Sequence, residues 1–82
     1  MNMNKYDKLI IKVFPKTNFA TYGDIFNLCG VNGEDKTSCI AFNESWNRHI
    51  KSGAIEVIQR EPKFKFALNL VKAYPDILSY DI

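Results

Sequence analysis

Two cysteines, one histidine and one tryptophan are all that the 82 residues hold of those types. Cys29 and Cys39 are too few to staple a disulfide scaffold, and in a reducing compartment they are expected as buried thiols. No apolar run approaches the ~18 residues needed to cross a bilayer. The opening Met1-Asn2-Met3-Asn4-Lys5 leads into a mixed polar pattern, not the apolar segment of a secretory leader. The chain is therefore expected to be soluble and cytoplasmic, with no membrane partner. Internal repeats and low-complexity blocks are lacking too.

The scarcity of reactive groups also bears on catalysis. Cys39 and His49 are ten residues apart on one expected helix, about 15 Å at 1.5 Å per residue, so they cannot form a nucleophile pair. Closely spaced zinc ligands are missing, because Cys29, Cys39 and His49 supply no ligand pair. Gly23, Gly30, Gly33 and Gly53 are scattered, each at a turn or helix end, and form no phosphate-cradling run. No catalytic residue, metal ligand or cofactor is expected, and the chain reads as a non-enzyme.

What is there suits one small α+β domain over 1–82. A chain of this length buries only about 60–65% of its unfolded surface, which leaves a thin stability margin. Net charge is +2, unevenly spread. Residues 1–35 balance four lysines against four carboxylates, whereas residues 36–72 carry seven cations against three acids. The last ten residues add Asp76 and Asp81. A cationic middle and second half matter if those side chains share one surface.

Periodicity divides the chain into elements. Tyr6, Leu9, Ile10, Val13 and Phe14 follow the i, i+3, i+4, i+7, i+8 pattern of a helix over roughly 4–14, with Lys5, Lys8 and Lys12 on its wet side and Pro15 as its stop. Phe19-Ala20 is extended and suited to a brief strand contact. Thr21 and Asp24 form a capping box for a helix over about 22–29, ended by Gly30. After the Val31–Lys36 turn, a longer helix runs from Thr37 or Ser38 to about Ser52. Its expected buried stripe is Cys39, Phe42, Trp46 and Ile50, and Gly53 ends it. Then the period drops to two. Ile55 and Val57 alternate with Glu56 and Ile58, and Phe64, Phe66, Leu68 and Leu70 alternate with Lys65, Ala67 and Asn69, which predicts a β-hairpin with a charged tip. The Val71–Ile82 tail offers Ile77, Leu78, Tyr80 and Ile82 as a short helix or a dimer contact.

Helix, short strand, helix, longer helix and hairpin is an order that resembles the winged helix-turn-helix superfamily. The resemblance is carried by Thr21-Tyr22-Gly23-Asp24-Ile25, Leu28 and Gly30-Val31, then by Trp46, Ile50, Gly53-Ala54-Ile55 and the two strands, and it spans about residues 5–70. It points to no particular family. The Val31–Lys36 connection is longer than the tight turn of the simplest members. The resemblance implies that the 37–52 helix enters a DNA major groove while the 59–65 loop, the wing, touches the backbone or the minor groove. On that view Lys36, Thr37, Ser38, Ala41, Glu44, Ser45, Arg48 and Lys51 form the reading face, and Arg60, Lys63 and Lys65 contact phosphates. Arg48 would offer a two-pronged donor to guanine, Ala41 would leave room for a thymine methyl, and the helix N-terminus would favour a phosphate.

Blander roles are open to the same residues. Glu44 and Arg48 are spaced for an i, i+4 surface pair, and the hairpin lysines can guard an exposed strand edge. Phe42, Trp46, Phe64 and Phe66 are expected in the core. The resemblance thus implies a small regulator or excisionase-like architectural factor, from a phage or mobile element, acting on double-stranded DNA as a homodimer joined through the first helix or the Pro75–Ile82 tail. The rival is a protein-binding module of the same shape, such as an inhibitor docking on a host defence or transcription complex.

Overall fold

A computed structural model of the chain describes residues 4–16, 18–69 and 72–73. Among these residues the elements run α1 (Lys5–Val13), β1 (Phe19–Ala20), α2 (Tyr22–Leu28), α3 (Lys36–Ser52), β2 (Ile55–Gln59) and β3 (Lys65–Leu68). The result is a small α+β fold with three helices and one three-stranded antiparallel sheet, in the expected element order.

Side-chain caps set the helix starts. Asn4 accepts from the Tyr6 N–H while Asp7 accepts from the Asn4 N–H, closing a capping box on α1. Thr21 and Asp24 do the same for α2. Asp35 caps α3 through the Thr37 N–H, so the helix begins at Lys36, one or two residues before the expected Thr37 or Ser38. Gly53 ends α3 in the left-handed region at φ 86°, where a side chain would be strained.

The sheet order is β1-β3-β2, so the brief β1 strand flanks the hairpin instead of standing alone. Phe19 pairs with Ala67 and Ala20 with Phe66, while Ile55 pairs with Leu68 and Val57 with Phe66. A bulge between Val57 and Gln59 accommodates Ile58. The inner face of the sheet and the helices meet around Trp46, whose ring lies 4.9 Å from that of Phe66 and 5.1 Å from that of Tyr22. Ile10, Ile11, Ile25, Phe42 and Ile55 are fully enclosed around it. Each such side chain contributes on the order of 1.5–3 kcal/mol by leaving water.

Two core expectations need correction. Phe64 is 50% exposed, because β3 begins after it, at Lys65. Cys39 is only half-buried, its thiol pointing at the carbonyls of Asn32 and Gly33; Cys29 is buried as expected. Burial raises the Cys29 thiol to about 11, leaving little reactive thiolate at neutral pH. Leu70 and the Pro75–Ile82 tail lie outside the described residues.

Candidate nucleic-acid interface

The long helix α3 is covered on two sides, and this decides which of its polar residues remain available. Against α1 it presents Ser45, Arg48 and His49, all gathered around Asp7. Arg48 Nε donates to Asp7 Oδ2 at 2.8 Å and Arg48 Nη2 to Oδ1 at 2.6 Å. Ser45 Oγ lies 2.7 Å from Asp7 Oδ1 and 2.8 Å from Asn4 Oδ1. His49 Nε2 donates to the Asp7 carbonyl at 2.8 Å. Burial works to raise the Asp7 carboxyl, but the Arg48 guanidinium, the Asn4 N–H and Ser45 outweigh it and hold it at about 2. The same hydrogen bond to Asp7 raises the Arg48 guanidinium above its ordinary value.

Three residues of the expected reading face are thereby withdrawn. Ser45 is fully buried, and Arg48 is committed in a two-pronged ion pair to α1 instead of facing a guanine or pairing with Glu44. Ala41 is half-buried against the core, and its carbonyl accepts from Asn4 Nδ2 at 3.1 Å, so it leaves no opening for a thymine methyl. The physical reason is simple: the apolar stripe marks the side of α3 that packs on Tyr6, Phe14, Tyr22 and Phe66, while a buried acid on α1 covers a second, polar side.

The N-terminus of α3 is also occupied. Ser38 Oγ donates to Asp35 Oδ2 at 2.8 Å, and the Asp35 carboxyl is held below its usual value by that bond and by the Thr37 and Ser38 N–H groups. A carboxylate already sits where a phosphate was expected, and the Ser38 hydroxyl is spent on it.

What remains in solvent is a different stripe. Lys36, Ile40, Asn43, Glu44, Asn47 and Lys51 are exposed along one side of α3, with Thr37 at its margin. Lys36, Thr37, Glu44 and Lys51 were expected there. Asn43 and Asn47 went unnoticed, although the spacing Lys36, Ile40, Asn43, Asn47, Lys51 is itself helical and holds no buried residue. Ile40 is 56% exposed, unusual for isoleucine in mid-helix. The Asn43 amide oxygen accepts from the Tyr22 hydroxyl of α2, which fixes its orientation.

At the hairpin tip Arg60 and Lys63 are exposed, as expected, and Gln59 Nε2 donates to the Lys63 carbonyl at 3.3 Å across the turn. Lys65 is drawn away from the tip. Its Nζ lies 4.5 Å from the centre of the Phe19 ring on β1, a cation–π contact across the sheet.

Among the described residues no cluster of His, Cys, Asp or Glu could hold a metal ion, and no helix is long and apolar enough to cross a membrane. Compared with protein-family models, with curated proteins and with solved structures, the chain matches none.

Proposed function

We propose that this chain is a winged helix-turn-helix protein that binds double-stranded DNA, a small transcriptional regulator or an architectural factor of the excisionase kind. The observation that carries the reading is the solvent stripe of α3: two lysines, two amides, one glutamate and an exposed isoleucine on a helix whose other sides are pinned to α1, α2 and the sheet. A helix so held presents one face to a groove without needing to be ordered on binding. Lys36 and Lys51 supply phosphate contacts near its two ends, and Arg60 and Lys63 do so from the wing. The element order and the β1-β3-β2 sheet suit that architecture.

One module with this few cations binds weakly, so two copies reading two half-sites about one helical turn apart are expected. The outward side of α1 suits such pairing poorly, since it presents Lys5, Lys8 and Lys12. Fluorescence anisotropy with a labelled random duplex, titrated across salt concentrations, tests the proposal. Binding that weakens steeply with salt supports it, and no binding at low salt rejects it.

A second reading has its own observation. Phe19 and Ile58 are exposed on the outer face of the sheet beside Ala67 and Lys16, an apolar surface that suits a protein partner. A partner that co-purifies from host lysate, with no affinity for duplex, would favour it.

A further inference from the structure

The two exposed amides of α3 differ in what they have left to offer. The Oδ1 of Asn43 accepts from the Tyr22 hydroxyl, which ties the carbonyl edge of this amide to α2. Asn47 has no hydrogen-bond partner among the described residues, and both halves of its amide are free. A free primary amide matches adenine in the major groove, where N7 accepts and the N6 amine donates; an amide whose oxygen is tied to a neighbouring helix matches it less well. Ile40 lies on the same side, seven residues earlier, about 10.5 Å along the helix axis. That is roughly three base-pair steps of 3.4 Å. Its exposed methyl groups suit the thymine methyl group, the one apolar feature in the major-groove pattern.

We infer that α3 reads adenine through Asn47 and, roughly three base pairs away, thymine through Ile40. Asn43 acts as a fixed donor between them. The inference rests on the DNA-binding reading and deepens it.

Selection of bound duplexes from a random library, followed by sequencing, should return an adenine and a thymine at that separation. Two base analogues then isolate each contact in the selected site. Replacing the adenine by 7-deazaadenine should weaken the parent protein about tenfold and leave Asn47→Ala indifferent. Replacing the thymine by uracil, which removes only the methyl group, should weaken the parent several-fold and leave Ile40→Ala indifferent. Both side chains are exposed, so thermal melts of the variants should match the parent and exclude misfolding. Salt-dependent binding with no base preference, or a parent protein insensitive to both analogues, overturns the inference and leaves DNA binding standing. Absence of any duplex binding overturns both.

Discussion

The two polar sides of α3 contain similar residue types and do opposite things. On the side facing α1, Ser45, Arg48 and His49 spend their hydrogen bonds inside the molecule on Asp7 and its carbonyl. On the side facing solvent, Asn47 spends none and Asn43 is engaged only through its oxygen. A polar side chain is available to a partner only when the fold has not already used its donors and acceptors. Residue type therefore says little about role until the neighbouring element is known, and the arginine that looked most like a base reader is a structural strut.

The largest effect that can break this contrast is the loss of Asp7. Asp7→Ala removes the acceptor for Arg48 and Ser45 and one half of the α1 capping box, so unfolding free energy should fall by about 3 kcal/mol, read by urea titration. A change under 1 kcal/mol would mean that the clamp is ornamental, and would return Arg48 to the list of DNA contacts. Acid should act on the same group. The Asp7 carboxyl sits lower in the folded chain, at about 2, than its ordinary 3.8. Its stabilising contribution is thus whole above about pH 4 and is lost as pH falls from there towards 2. Thermal melts of the parent should decline over that window, and Asp7→Asn should decline less.

Smaller effects sharpen the comparison. Ser45→Ala deletes one buried hydrogen bond to a charged group and should cost about 1–2 kcal/mol, with base preference intact once unfolded protein is accounted for. Arg48→Ala should likewise lower the melting temperature while the order of preferred duplexes stays the same. A reshuffled preference in either variant would show that the inner side reaches DNA after all.

Why the clamp escaped a reading of the sequence is instructive. Apolar periodicity found Tyr6, Ile10, Phe14, Phe42 and Trp46, all of which are buried, because hydrophobic burial leaves a period that can be counted. The hairpin alternation and the Gly53 stop were visible for the same local reasons. Asp7 and Arg48 are 41 residues apart and belong to different helices, and no local pattern announces their meeting. The Asn4-x-x-Asp7 box was a usable signal that Asp7 faces its own helix start instead of open water. Likewise Ser45, Arg48 and His49 stand at i, i+3 and i+4, the spacing of a second packed side written in polar residues. Lys65 was misplaced for a similar reason: β1 contributes Phe19 to its neighbourhood from 46 positions away.

The smallest stability change, and the cleanest complement to Asp7, belongs to Lys51. Lys51 is exposed near the end of the outer stripe, with no ion pair among the described residues, so Lys51→Ala should alter unfolding free energy by less than about 0.5 kcal/mol. Duplex affinity should nonetheless fall for all sequences alike. The slope of log K against log salt should become shallower by about one, because one fewer phosphate counterion is released. A stability loss with the order of preferred duplexes kept at Arg48, beside an affinity loss with stability kept at Lys51, is what two polar sides with separate duties require. Lys51→Ala that unfolds the protein, or that leaves the salt slope untouched, would remove the outer side from the interface.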